Sequence, residues 1–274
     1  MRIRIIDAFA DRPFTGNPAA VCLLEQAGWP EETWMRQVAA EVNLSETAFA
    51  HPLPPGADAD WALRWFTPAV EVGLCGHATL ATAHALHQDG ALPDDGVRFT
   101  TLSGVLTARH ESDGTFTLDF PAAPTDPVAA PKGTAEALGA DVVAAYDTGA
   151  LGDLLVEVAD ERTVRELAPD LAAVAALGPR GVIVTAAAAR PGDGYDFVSR
   201  FFGPAVGIAE DPVTGSAHTA LAPLWSARLG RTVLTGLQAS ARSGLVRTRL
   251  LGERVQLSGH AVTVLDGALQ TGHR

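Results

Sequence analysis

The feature that most constrains this chain is a phrase written twice. Residues 64–71 read RWFTPAVE, and residues 200–207, 136 positions later in a chain of 274, read RFFGPAVG. Five of the eight positions are identical, and Trp65 is exchanged for Phe201. The first copy leads into the turn Cys75-Gly76-His77-Ala78-Thr79. The second leads, after three extra residues in a stretch containing Glu210-Asp211-Pro212, into Thr214-Gly215-Ser216-Ala217-His218. An alanine-rich apolar segment follows each turn. Chance likeness between two strand-turn-helix units is the plain alternative, but match, spacing and shared sequel together favour duplication of one half with pseudo-twofold symmetry.

The pattern on either side of the phrases agrees. In the first half, polar/apolar alternation predicts strands at 2–8 and 61–66 and a strand entered at Glu46. A helix is predicted at 30–42, where Pro30 pre-sets the first turn and Met35, Val38, Ala39 and Val42 share a face. Residues 77–87, HATLATAHALH, carry no acidic or basic side chain except histidine, so a helix there is buried on every face. Short strands are predicted at 97–101, 105–110 and 115–120. The proline-rich run 121–131 reads as a linker.

The second half repeats the grammar. Strands are predicted at 144–148, 154–158, 181–185 and 196–202, with one amphipathic helix at 161–177. A second buried helix is predicted at 216–229, bent at Pro223, then strands at 232–237, 244–250, 255–257 and 261–265. The expected fold is α/β (α+β), with two pseudo-symmetric lobes. The N-terminal lobe spans 1–120, with the last strand, about 261–274, able to complete it; the C-terminal lobe spans 121–260.

Hydrophobic residues make up 47% of the chain and charged residues 19%, enough to build a sizeable core. A net charge of -12 argues against nucleic acid or an anionic membrane surface as the main partner. A small anionic substrate stays open, because a local site can be positive in an acidic protein. Two cysteines, Cys22 and Cys75, make no disulfide scaffold, and along the sequence no His/Cys/carboxylate group has metal-ligand spacing. No Gly-rich phosphate loop is present, so neither metal nor nucleotide is expected. With no apolar run of membrane-spanning length and no signal-peptide pattern at the start, a soluble cytoplasmic protein is the expectation.

Each repeated turn places glycine and small residues at a helix start, where backbone N–H groups point outward and attract anions. Gly76 and Gly215 would supply such donors to a carboxylate. Ordinary N-capping by Thr214 or Ser216 accounts for the second turn equally well.

Four segments in order, DRPFTGNPAAV (11–21), NLSETAF (43–49), WFTPAVEVGLCGHAT (65–79) and FFGPAVGIAEDPVTGSAH (201–218), closely resemble the PhzF family of phenazine-biosynthesis-like proteins. The resemblance covers essentially the whole chain. It implies the diaminopimelate-epimerase fold, each lobe a β-barrel-like sheet around a central helix, with the active site in the cleft between lobes. It also implies a homodimer with no metal or organic cofactor. The family's founding activity is isomerisation of trans-2,3-dihydro-3-hydroxyanthranilate by moving a proton between ring carbons. Carried over by motif, Glu46 is the proton shuttle; His77, Asp211 and Ser216 bind and polarise substrate or assist transfer; Gly76 and Gly215 supply backbone donors.

Those residue types suit the chemistry. Removing a C–H proton needs a positioned base and donors for the charge that develops. Leu44, Ala48 and Phe49 around Glu46 suggest desolvation that raises its pKa toward neutrality. Amino-acid epimerases of this fold use two thiols, one on each face of the substrate carbon. Cys75 occupies the first thiol's place, but Thr214 occupies the second, so the two-thiol reading fails and Cys75 is assigned to packing or ligand contact. The leading expectation is a cofactor-independent isomerase acting on a small carboxylate-bearing substrate. Alternatives are a racemase or epimerase using Glu46 or Cys75, and a small-molecule-binding protein without turnover. His84 and His87 are assigned to packing, and Cys22 to the core.

Overall fold

The computed structural model describes residues 1–190 and 192–270. In chain order its first half gives β1 (Arg2–Ala8), β2 (Asn17–Leu23), α1 (Glu32–Val42), β3 (Glu46–Pro52), β4 (Trp61–Phe66), β5 (Glu71–Val72), α2 (Gly76–Gln88), β6 (Val97–Thr101), β7 (Gly104–His110) and β8 (Phe116–Pro121). There follow β9 (Asp126–Val128), α3 (Thr134–Leu138), β10 (Ala144–Asp147), β11 (Asp153–Glu157), α4 (Glu161–Glu166) and α5 (Leu171–Ala176). The chain continues through β12 (Gly181–Ala187), β13 (Phe197–Gly203), β14 (Ile208–Asp211), α6 (Gly215–Leu229), β15 (Val233–Gln238) and β16 (Gly244–Leu251). It finishes with β17 (Arg254–Gly259) and β18 (Ala261–Ala268). Two units emerge: Met1 to Asp119 together with the chain from Ser258, and Phe120 to Leu257.

In the first unit β1 pairs antiparallel with both β18 and β2. The next pairings are β2 parallel to β3, β3 antiparallel to β4, β4 antiparallel to β5, β4 parallel to β6, and β6 antiparallel to β7. The second unit repeats that order: β11 parallel to β12, β12 antiparallel to β13, β13 antiparallel to β14, β13 parallel to β15, and β15 antiparallel to β16. The two copies of the phrase fall at matching places, on β4 and its turn and on β13 and its turn.

The repeated letters have a physical reason. Arg64 forks onto Glu71 with Nε–Oε1 and Nη2–Oε2 distances of 2.7 Å, and its guanidinium lies 5.1 Å from the Phe66 ring centroid. Arg200 forks onto Glu210 at 2.7 and 2.9 Å and lies 4.9 Å from the Phe202 ring. A planar guanidinium satisfies a carboxylate bidentately while stacking on an aromatic face. The fork closes each strand-turn-strand hairpin.

The chargeless segments are the buried helices. Helix α2 packs on β1, β2, β3 and β7 in the first unit, with Ala78, Leu80, Ala81, Ala83, Ala85 and Leu86 fully buried. Helix α6 does the same in the second, where Ala217, Ala220, Leu221 and Trp225 pack with Leu155, Ile183, Phe197 and Phe201. The amphipathic α1 covers Phe49 and Phe66 with Met35, Val38 and Ala39.

Two expectations are corrected. The single helix at 161–177 is two, because Pro169 disfavours helical backbone at the residue before it; Leu167 leaves the helical region and Asp170 caps α5 through Ala172 and Ala173 N–H. The run 121–131 is not a plain linker, since β9 lies in it and pairs with β10, Val128 opposite Ala145. Helix α3 was not anticipated.

Candidate active site

Three segments of the first unit converge on His77. Asn17 opens β2 and Glu46 opens β3; the strands run parallel with Ala19 opposite Glu46. Cys75 is the N-cap of α2, and Gly76 and His77 are its first residues. The loop before Asn17 is tied down where Asp7 Oδ2 accepts from Phe14 N–H at 2.7 Å. Its last residue, Gly16, has φ +66°, and a Cβ there would stand 2.2 Å from the Ala8 carbonyl oxygen. Only glycine fits that close approach without shifting backbone.

Around the imidazole, Nε2 lies 3.2 Å from Glu46 Oε2 and 3.4 Å from Ser45 Oγ, while Nδ1 lies 3.2 Å from the Asn17 side-chain amide. Ser45 Oγ donates to Asn17 Oδ1 at 3.3 Å. Cys75 Sγ sits 3.6 Å from Nδ1 and 3.9 Å from Nε2. His77 and Cys75 are buried, and the Glu46 side chain is 12% exposed.

The charges in this cluster oppose burial and win. Burial alone would raise the Glu46 carboxyl, but contact with His77 and its charge, and donors on Ser45 and Cys75, hold it below the ordinary carboxylate value. Burial likewise disfavours the His77 imidazolium, yet its contacts with Cys75 and Glu46 carry it well above the ordinary histidine value. Burial first, then the Glu46 charge, push the Cys75 thiol up to about 11. That thiol is neutral near neutrality, so of the two partners the Glu46 carboxylate is the one that raises His77 there. The expectation of a raised Glu46 pKa is therefore reversed: the partner that overrides desolvation is 31 residues away in sequence.

In the second unit, Asp211 closes β14 and Thr214 is the N-cap of α6. The Thr214 hydroxyl donates to Asp211 Oδ2 instead of capping the helix. Gln238, at the end of β15, clamps the turn: its Oε1 accepts from Thr214 N–H at 2.8 Å and its Nε2 donates to the Asp211 carbonyl at 2.7 Å. One turn on, fully buried His218 contacts the Thr214 carbonyl through Nδ1 at 2.8 Å. Ser216 Oγ receives a long contact, 3.5 Å, from Arg180 Nη2, and that guanidinium is anchored at 2.6 Å by the fully buried Asp153 carboxylate.

Glu46, Cys75, Gly76 and His77 are thus brought together in the first unit; Asp211, Gly215 and Ser216 cluster in the second. Sequence reasoning missed Asn17, Ser45, Gln238 and Arg180. Asn17 and Ser45 lie inside the quoted motifs TGNPAAV and NLSETAF, whereas Gln238 and Arg180 carry no local signal. The expected absence of metal-ligand spacing needs a correction too. Among the described residues, donor atoms of Glu46, Cys75 and His77 all lie within 4.8 Å of one another. Folding creates that group from segments 29 residues apart.

The phenazine biosynthesis-like protein family model matches residues 6–267. The chain belongs to that family. An uncharacterised isomerase of Pseudomonas aeruginosa is 51% identical over 266 residues, covering 96% of each chain. A PhzF-family crystal structure from Enterococcus faecalis matches with a TM-score of 0.88 at 41% identity, covering 97% of each chain. A hydroxyproline epimerase of Agrobacterium vitis shares the fold alone, at a TM-score of 0.61 and 15% identity. This PhzF-family chain therefore has the mixed α/β, epimerase-like fold, and the names of its relatives support an isomerase or epimerase role. No helix among its described residues is long and apolar enough to cross a membrane.

Proposed function

We propose that this PhzF-family protein is a cofactor-independent isomerase that moves a proton on a small carboxylate-bearing substrate, with Glu46 as the shuttle. The observation that carries the reading is the buried Glu46–His77 pair, 3.2 Å apart at the start of a helix buried on all sides. Glu46 is present as the carboxylate, ready to take a C–H proton. Its lowered pKa makes it a weaker base, and the setting supplies the missing driving force: the imidazolium of His77 and the N–H groups at the α2 N-terminus stabilise the enolate-like charge that develops. The protonated Glu46 then returns the proton to a second carbon on the same face of the substrate.

The spacing also argues against Glu46 and Cys75 as the two bases of an epimerase. A two-base epimerase holds acid and base on opposite faces of one carbon, each about 3–3.5 Å from it, so about 6–7 Å apart. Glu46 and Cys75 offer donor atoms within 4.8 Å, too close to sandwich a carbon. Asp211, Gly215 and Ser216 remain in the reading as substrate-binding groups, with Asp211 a candidate to assist transfer.

The test is exchange of solvent deuterium into substrate, screened over cyclic and amino carboxylates. Glu46→Gln should keep the fold and lower turnover and exchange by roughly 10²–10⁴, the scale for loss of a general base. Exchange by the Gln variant at the wild-type rate places the base elsewhere. Tight binding with no exchange in the wild type would make the protein a binder without turnover.

A further inference from the structure

We propose that Glu46, Cys75 and His77 form a three-ligand site for zinc, and that zinc bound there switches proton transfer off. The binding half stands on this chain's geometry alone; the inhibitory half rests on Glu46 being the shuttle.

A thiolate, an imidazole and a carboxylate are the donor set zinc favours, and three protein ligands with an open fourth position is the arrangement of a reactive zinc centre. Zinc–ligand bonds of about 2.0–2.3 Å in a tetrahedron require donor atoms about 3.3–3.7 Å apart. Glu46 Oε2 and His77 Nε2 are 3.2 Å apart, and Cys75 Sγ lies 3.9 Å from that same nitrogen. The remaining side of the triangle is at most 4.8 Å, so small side-chain rotations close the set.

Two further observations point to a cation. Glu46 Oε2 is buried without an aligned hydrogen-bond donor among the described residues, even though the imidazole nitrogen stands beside it. A metal ion supplies what that oxygen lacks. On the other side of the ring, the Asn17 side-chain nitrogen lies 3.2 Å from Nδ1, and turning that amide over would set its oxygen there as the acceptor that a ligating histidine's second N–H needs. With Asn17 at Nδ1, zinc takes Nε2, the nitrogen already facing Glu46.

Binding is a proton exchange and involves no redox step. The Cys75 thiol releases its proton to solvent as the zinc–sulfur bond forms, and the His77 Nε2 proton leaves likewise. The Glu46 carboxylate becomes a ligand and can no longer accept a proton from carbon.

The experiment uses the full chain and reads metal binding separately from turnover. Cobalt(II) titration should produce a thiolate-to-cobalt charge-transfer band, and zinc should displace the cobalt one for one. Cys75→Ser should abolish the band. Glu46→Gln, which keeps side-chain size, should retain it while weakening zinc binding by at least about tenfold. A band that survives in Cys75→Ser belongs to Cys22 and overturns the site, as does a folded wild type that gives no band. In the exchange assay, stoichiometric zinc should stop wild-type turnover and a chelator should restore it. Zinc that binds with the expected variant pattern yet leaves turnover intact, or raises it, overturns the inhibitory half. If no substrate is ever turned over, the cobalt and zinc titrations still decide the binding half.

Discussion

His218 should make the folding stability of the second unit fall steeply with mild acid. The ring is fully buried one turn into α6, Nε2 has no hydrogen-bond partner among the described residues, and burial takes its pKa from 6.5 down to about 4. The unfolded chain therefore binds a proton near pH 6.5 that the folded chain refuses until about 4. Stability is fully present above the unfolded value, drops as pH falls between the two, and levels off below. The slope is about 1.4 kcal/mol per pH unit, saturating at about 3.4 kcal/mol, and integration between about pH 7 and pH 5 gives a loss of about 1.8 kcal/mol. Other groups titrate in the same range, so the useful quantity is a difference between proteins. His218→Asn keeps a short donor for the Thr214 carbonyl but cannot protonate. Denaturant unfolding of both proteins across this range should show the wild type losing about 1.8 kcal/mol more than the variant. The variant's own offset near neutrality, from its smaller side chain, does not enter the comparison. Parallel stability curves would refute the reasoning and show that the native ring is already charged or solvated.

Two further outcomes follow from the local geometry. Gly16→Ala should lower stability by roughly 2–4 kcal/mol in thermal or chemical unfolding, through left-handed backbone and a clash with the Ala8 carbonyl; an unchanged midpoint would show that the loop has room. Near pH 7, intact-mass counting of iodoacetamide adducts should find Cys75 and Cys22 at least about a hundredfold slower than an exposed cysteine, since their thiols are raised to about 11 and about 12. One rapid adduct would reveal a thiolate at Cys75.

Much of the fold was legible because its signals are local. A helix without charges, such as 77–87, has nowhere to sit but inside, and strand alternation located β1, β4, β6 and β7 within a residue or two. The break at Pro169 was legible as well, but the apolar spacing of 161–177 obscured it. The candidate site was legible only as separate motifs. That Glu46 meets His77 follows from β3 lying parallel to β2 beneath the start of α2, a long-range pairing no window of sequence contains. The sign of the Glu46 shift was lost for that reason: Leu44, Ala48 and Phe49 argue for desolvation, and the histidine that outweighs them is far along the chain. Gln238 and Arg180 lack any signature, since their importance lies wholly in what the fold sets beside them.

The Thr214 turn carries a consequence for how such a duplicated protein can change. In one half the position before the helix glycine is a thiol; in the other it is a hydroxyl bound into Asp211 and Gln238. That hydroxyl gives its proton to the carboxylate and accepts from the amide at 3.1 Å, two short, directional bonds that a larger, weakly bonding sulfur cannot reproduce. Restoring a symmetric pair of thiols would thus take more than one codon. A lone Thr214→Cys step leaves a buried carboxylate short of one donor and the amide short of one acceptor, so a symmetric pair of thiols is reached only through a less stable intermediate.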